Sequence, residues 1–222
     1  MALDERYYGG PQTGELERAS DDPRAGSIYA DFLATCSPGP AETILDVGVS
    51  DVLNNSANVL ERLYPNQEQI TACGLGEATE FQAAFPNVRY RRVATGGPLP
   101  FANKSFDVAT SNAVLEHVGS RENQARFIAE MVRVARRVFI SVPHRFFPVE
   151  HHTAIPLAHW TDTTWFLACA VTGKQKWSQD KELILMSARH LSSLVPPGSA
   201  HQVGYTGLLL GPFSSNLFLA IT

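Results

Sequence analysis

Cysteine is scarce: the 222 residues hold three, Cys36, Cys73 and Cys169. An odd number at wide spacing argues against a disulfide framework or a thiolate zinc module and fits reduced, buried thiols. Long apolar runs are missing too. No stretch approaches the roughly 20 residues that a membrane-spanning helix needs, and the opening MALDERYYGG has no apolar signal core. An excess of positive charge is lacking: 18 Lys and Arg stand against 22 Asp and Glu, a formal net charge of −4. That weighs against a nucleic-acid backbone as the main partner. The short basic cluster Arg89, Arg91 and Arg92 reads as a solvated strand edge. Internal repeats and low-complexity tracts are absent. The expectation is a cytoplasmic protein of one domain with a short appendage. A chain of this size buries roughly 70% of its unfolded surface, enough for a sheet covered on both faces.

In chain order, residues 1–26 are polar and rich in Gly, Asp and Pro and read as an arm. Ser27 to Cys36 carries Ile28, Phe32 and Leu33 at helical spacing, and Ser37 to Pro40 ends that helix. The division expected is an N-terminal arm and helix over 1–36, then an α/β domain over 37–222. Ile44 to Gly48 reads as the first, central strand, followed by a helix from Asp51 to Leu63. Strands at Gln69–Leu75 and Val88–Val93 flank a helix at Glu77–Phe85. A fourth strand starts at Phe106, a helix spans Arg121–Val134, and a fifth strand covers Arg137–Val142. Helices at Thr163–Thr172 and Ser187–Leu194 precede two last strands, His201–Gly207 and Asn216–Thr222, with Gly211-Pro212 between them. Alternating short strands and helices give parallel pairing with right-handed crossovers. The predicted fold is therefore α/β and doubly wound: a mostly parallel, seven-stranded, Rossmann-like sheet with a C-terminal antiparallel hairpin.

The organising stretch is LPFANKSFDVATSNAVLEHV, Leu99 to Val118. The apolar run Phe106 to Ala109 reads as a buried parallel strand, and the small polar residues after it, Thr110 to Ala113, sit where doubly wound sheets place ligands. A strand, a turn and a capped helix would explain it equally. This stretch closely resembles the fourth-strand segment of class I S-adenosylmethionine-dependent methyltransferases of the small-molecule, type 11 kind, and the match extends from about Ile44 to Thr222. The resemblance implies S-adenosylmethionine as cofactor and a small molecule as methyl acceptor.

The resemblance also implies a cofactor set, with three departures. Asp46 and Gly48 match the family's acid-x-Gly-x-Gly-x-Gly turn, but Ser50 and Val52 replace later glycines. Ser50 is small enough for a contact, whereas Val52 in a turn needing positive φ would be strained. Gly74, followed by Leu75, takes the place of the acid that accepts both ribose hydroxyls, with Glu77 the nearest carboxylate. Thr95 stands where an Asp often meets the adenine amino group. Asn112, Ala113 and His117 complete the expected cofactor contacts. Losing a charge-assisted bond costs about 1.5–3 kcal/mol, so losing two weakens binding by two or more decades.

Methyl transfer to a hydroxyl or protonated amine needs a base. The catalytic candidates are His144, straight after Pro143, and the Glu150–His152 pair, in which the carboxylate would raise imidazole basicity. The run PHRFFPVEHHT resembles a family loop in which His144 replaces an Asn. Glu150 and His152 would equally serve to tether an aromatic-rich loop. Glu116 and His117 read either as further base candidates or as capping and packing groups. His144, His151, His152 and His159 have no recognised metal spacing, so no metal site is expected. Phe146, Phe147, Trp160, Trp165 and Phe166 line either an acceptor pocket or ordinary core.

Two functions follow as alternatives: methyl transfer from S-adenosylmethionine to a small-molecule acceptor, or a catalytically silent methyltransferase-fold protein that binds a ligand or partner. A dinucleotide oxidoreductase fits less well, because the third glycine and the ribose acid are missing.

Overall fold

The computed structural model describes residues 22–53 and 57–222. Most of the expected arm, residues 1–26, lies outside them. Helix α1 spans Pro23–Cys36, starting four residues before the apolar pattern begins. Asp22 caps it by accepting from the backbone N–H groups of Arg24 (2.9 Å) and Ala25 (3.3 Å), and Pro23 occupies the first turn, where its missing N–H costs nothing.

The remaining elements are β1 (Ile44–Val47), α2 (Val59–Leu63), β2 (Ile70–Gly74), α3 (Thr79–Ala84), β3 (Arg89–Arg92), β4 (Phe106–Asn112), α4 (Arg121–Val134), β5 (Ala135–Pro143), α5 (Asp162–Val171), α6 (Ala188–Ser193), β6 (His201–Leu210) and β7 (Phe213–Ile221). They form one seven-stranded sheet in the order β3-β2-β1-β4-β5-β7-β6. The first five strands pair in parallel, and β7 runs antiparallel to both β5 and β6. The doubly wound sheet and its closing hairpin are thus as the sequence pattern implies. No helix among the described residues is long and apolar enough to cross a membrane.

Alternation along β1 sorts the two cores. Leu45 and Val47 pack with Ile128, Met131, Leu191 and Leu217 on one face. Ile44 packs with Phe32, Ile70, Phe81, Phe139 and Phe218 on the other. By the same alternation Asp46 shares the face of Ile44 and carries an acid into that second layer. The three cysteines are free and buried; burial pushes the Cys36 thiol up to about 11 and the Cys73 thiol up to about 12.

Two expectations need correction. The helix from Asp51 does not begin there: residues 51–53 are non-helical and α2 starts only at Val59. Strand β4 does not stop at Ala109 but continues through Thr110 and Ser111 to Asn112, because β5 offers it pairing partners as far as Ser141. Local polarity predicted a turn there, and the parallel ladder overrides it.

Candidate functional site

At the carboxyl ends of β1 and β4 lies a cleft bounded by Asp46, Gly48, Ser50, Asn58, Thr110 and Ser141 and roofed by Ile28 and Phe32 of α1. Asn112 also lines it. The crevice between the turn after Asp46 and the wall from Thr110 is therefore open and built from both halves. Ser141 Oγ donates to Asn112 Oδ1 (2.5 Å) and Ser111 Oγ to the Val47 carbonyl (2.7 Å), which fixes that wall.

The turn holds its shape without the missing glycines. Gly48 takes φ +98°, and a Cβ there would lie 2.3 Å from Val114 Cγ2, so glycine is required. Ser50 is clamped by Asn58: the Ser50 N–H donates to Asn58 Oδ1 (3.0 Å), and Asn58 Nδ2 donates to the Ser50 carbonyl (2.8 Å). Asn58 itself has φ +52°, a conformation that Asn tolerates. Val52, expected to be strained, does not adopt positive φ; its N–H donates to Ser50 Oγ (3.0 Å). Asp51 does not plug the crevice, since its carboxylate accepts from the Phe81 N–H (2.9 Å) at the start of α3.

Beneath the turn sit two carboxyls that sequence reasoning did not pair. Glu61 of α2 is fully buried, and neither of its oxygens meets a hydrogen-bond partner among the described residues. Burial and the neighbouring Asp46 carboxyl hold Glu61 well above the ordinary range. Burial likewise raises Asp46 to about 7. The pair retains a proton where isolated acids would have lost theirs.

The residues expected around the nucleoside are more scattered. Gly74 ends β2, and a Cβ there would meet Tyr90 Oη at 3.0 Å and the Val49 carbonyl at 3.1 Å. Tyr90 Oη donates to the Gly76 carbonyl (2.7 Å), so an aromatic ring packs close to where the acid would be built. Glu77 is exposed and ion-paired with Arg92, which also donates to the Leu75 carbonyl (3.1 Å). Thr95 lies in an exposed turn. Ala113 takes φ +54°, and its N–H donates to the Ser141 carbonyl (2.9 Å). His117 does not line the cleft; it belongs to a second group of residues.

That group joins the short turn Leu115–His117 after β4 to the loop after β5. Glu150 accepts from the N–H of His152 (3.0 Å), the N–H of Thr153 (2.7 Å), Thr153 Oγ1 (2.6 Å) and His152 Nδ1 (2.7 Å). Burial alone would raise Glu150, but these hydrogen bonds and His152 outweigh it and hold the carboxyl at about 2. The expected Glu–His pair thus exists as a contact, within a tightly tethered loop. His117 Nδ1 donates to the Glu182 carbonyl (2.7 Å), and its Nε2 faces His152 Nε2 at 3.1 Å. Burial and His152 hold His117 down at about 4. Glu116 is 1% exposed with no hydrogen-bond partner on either oxygen among the described residues, and burial pushes it up to about 7. His151 meets Arg24 of α1 (Nδ1 to Nη1, 3.1 Å), and burial followed by that guanidinium lowers it to about 4.

His144 lines one cavity with Glu116, Glu150 and His151 but bonds elsewhere, its Nδ1 donating to the Ser214 carbonyl (3.2 Å); burial lowers its pKa. Its ring lies 5.6 Å from Phe146 and from Tyr205. The five aromatics divide. Phe146 and Trp160 contact each other near His144, Phe147 stacks edge-on to His151, and Trp165 packs in a buried cluster with Cys169, Trp177 and Leu183. Phe166 is 62% exposed and lines nothing.

Residues 45–138 match a family model described as a methyltransferase domain. No curated protein matches the chain. Among solved structures it is similar to S-adenosylmethionine-dependent methyltransferases from Methanosarcina mazei, Aquifex aeolicus and Mesorhizobium loti. The first is 14% identical, with a TM-score of 0.54 over 87% of this chain and 95% of the other. The second is 13% identical, with a TM-score of 0.52 over 91% and 94%. The third is 15% identical, with a TM-score of 0.51 over 88% and 98%. At such identities the likeness speaks for the fold. Residues 45–138 are therefore similar to a methyltransferase domain, and the sheet around them has the fold of the class I S-adenosylmethionine-dependent methyltransferases.

Proposed function

We propose that this protein transfers a methyl group from S-adenosylmethionine to a small-molecule acceptor. The observation that carries the reading is the cleft at the carboxyl ends of β1 and β4, where the sheet order reverses, with the obligatory glycine at position 48. The residues there fit the group. Gly48 gives close backbone approach, and Ser50, Asn58, Thr110 and Asn112 offer polar atoms. Among the described residues no cation acts on the buried Asp46 and Glu61 carboxyls, and a ligand ammonium would supply one.

When bound, the cofactor supplies an electrophilic sulfonium methyl. The chain's own part is orientation and exclusion of water. Asp46, Gly48 and Ser50 would hold the methionine end. Asn112 and Ala113 would form the facing wall, and α1 would cover the cleft through Ile28 and Phe32. Gly74, Leu75, Glu77 and Thr95 remain proposed contacts on the nucleoside side, where Glu77 would first have to leave Arg92. His144 is the proposed proton acceptor at the acceptor end, its Nδ1–H fixed by Ser214 so that Nε2 is left to take a proton. His152, held by Glu150, is the second proposed base.

Calorimetric titration with S-adenosylhomocysteine tests this. Saturable heat is expected, reduced at least tenfold in affinity by Asn58→Ala. No heat at millimolar ligand overturns the reading and leaves the silent ligand-binding protein in its place.

A further inference from the structure

Three side chains converge outside the cofactor cleft: Glu116, His117 and His152 have one ligand atom each within 4.8 Å of one another. We propose that they form a binding site for one divalent transition ion of the zinc type. The hydrogen bonds around the two histidines set the chemistry. A carbonyl only accepts, so His117 Nδ1 must carry the hydrogen that reaches Glu182 at 2.7 Å. His152 Nδ1 lies 2.7 Å from Glu150 Oε1 and donates to that carboxylate. In a neutral ring the lone pair therefore sits on Nε2, and the two Nε2 atoms face each other at 3.1 Å. Two lone pairs do not meet at that distance, so the gap calls for a cation, a proton or a metal ion, and the carboxyl beside it favours the metal.

The distance fits. With metal–nitrogen bonds of about 2.0–2.1 Å, two ligands of one ion at tetrahedral or octahedral angles stand about 2.9–3.4 Å apart. Each histidine is also oriented by an acceptor on its other nitrogen, a carboxylate for His152 and a backbone carbonyl for His117, the arrangement that metal-bound histidines use. The second, independent observation is Glu116. Its carboxyl is 1% exposed, both oxygens lack a hydrogen-bond partner among the described residues, and Oε1 lies 3.9 Å from His117 Nε2, so the carboxyl would close in by about half an ångström to bind an ion. A buried carboxyl without donors is costly, and a dication beside it supplies the missing partner. Two imidazoles and one carboxylate leave coordination positions open, as in catalytic zinc sites. Glu116 also lines a small cavity with His144, Arg145 and His159, with space for about one water-sized ligand. Resting on the methyl-transfer reading, such an ion would polarise an acceptor oxygen and ease loss of its proton, with His152 then a ligand and His144 the base.

The test uses the full chain without a histidine tag, stripped with chelator and dialysed against Zn2+ and, separately, Co2+. Bound metal is quantified, and the Co2+ visible spectrum is recorded. Wild type and His201→Ala, which removes an exposed histidine elsewhere, should each bind one equivalent. Glu116→Gln and His152→Ala should bind at least tenfold more weakly and alter the Co2+ spectrum. Equal binding by all four, or none by wild type at tens of micromolar Zn2+, overturns the proposal. Glu116→Gln preserves volume and adds no charge, so it carries the test alone if His152→Ala does not fold. S-adenosylhomocysteine titration of the same samples separates the two readings: metal without cofactor heat keeps the ion site and overturns methyl transfer, and the converse overturns the ion site.

Discussion

Replacing Asp46 with asparagine should change how stability depends on pH more than it changes stability itself. In the unfolded chain Asp46 ionises near 3.8, whereas burial in the folded chain raises it to about 7. Between those values the folded state holds a proton that the unfolded state has lost. The stabilisation from the neutral acid is therefore complete below about pH 4 and is lost as pH rises through about 7. The interval is about three pH units, and each unit corresponds to 1.36 kcal/mol, so the full swing is roughly 4 kcal/mol. From pH 5 to pH 8 about two of those units apply, or roughly 3 kcal/mol. The amide of the Asp46→Asn variant has no proton to lose and is nearly isosteric with the acid. The difference in unfolding free energy, variant minus wild type, should therefore move in the variant's favour by roughly 2–3 kcal/mol from pH 5 to pH 8.

Urea denaturation at pH 5, 6, 7 and 8 measures this directly, with constant m-values confirming a two-state comparison. Glu61 remains in the variant and keeps a falling trend of its own, so the difference between the two proteins is the quantity to read. Glu61→Gln should act in the same sense, because it removes the competing acid and its amide can donate to the Asp46 carboxylate. Profiles for wild type and Asp46→Asn that stay parallel within about 0.5 kcal/mol across this range would refute the account of the buried pair.

Other outcomes follow from the same geometry. Affinity for S-adenosylhomocysteine should rise about tenfold from pH 6 to pH 8, as Asp46 ionises to meet the ligand ammonium, and Asp46→Asn should flatten that rise; calorimetry at each pH reads it. Gly48→Ala should cost about 2–4 kcal/mol in chemical unfolding, since φ is +98° and the added Cβ would lie 2.3 Å from Val114. Asn58→Ala leaves the buried Ser50 N–H and C=O without their side-chain partner and should cost about 1–3 kcal/mol, with most of the effect on cofactor affinity surviving at saturating stability. Gly74→Asp should not restore tight binding: its Cβ would crowd Tyr90 and the Val49 carbonyl, so affinity unchanged or lowered is expected, and a gain of tenfold would show that Tyr90 yields.

What the sequence made legible was whatever a single periodic pattern decides. The helix Arg121–Val134 could be read to the residue, because its apolar positions repeat at helical spacing and Ser120 caps it through the Asn123 N–H (3.2 Å). The closing hairpin was legible from Gly211-Pro212 between two β-rich runs. Where two elements compete for the same residues, the pattern misled. Thr110 to Asn112 look like a turn in isolation, yet β5 recruits them into the ladder. The loop after β1 looked defective because it lacks glycines, and glycine content says nothing of Asn58, eight residues on from Ser50, whose amide supplies both halves of the clamp.

The chemical groups were harder still, because each depends on contacts that the linear chain does not encode. Glu61 sits on the buried face of α2, next to Arg62 in a helix of five residues, too short for periodicity to mark which face is buried. Its partner Asp46 is fifteen residues away on a strand whose apolar character hid the acid's exposure to the same layer. Glu116 and His117 adjoin each other, but His152 comes from the far side of β5, so no metal-ligand spacing could reveal them together. The common feature is that a strand end and a long return loop meet at one edge of the sheet. Residue types marked this edge as chemical, and only the three-dimensional register decided which of them share a proton, a cavity or a cation. A site assembled in this way is expected to respond to mutation in pairs. Asp46 should couple to Glu61, and Glu116 to His152, with interaction energies of about 0.5–3 kcal/mol in double-mutant cycles. Pairs drawn across the two groups should be additive, and strong coupling between Asp46 and Glu116 would mean that the cleft and the histidine cluster are a single site.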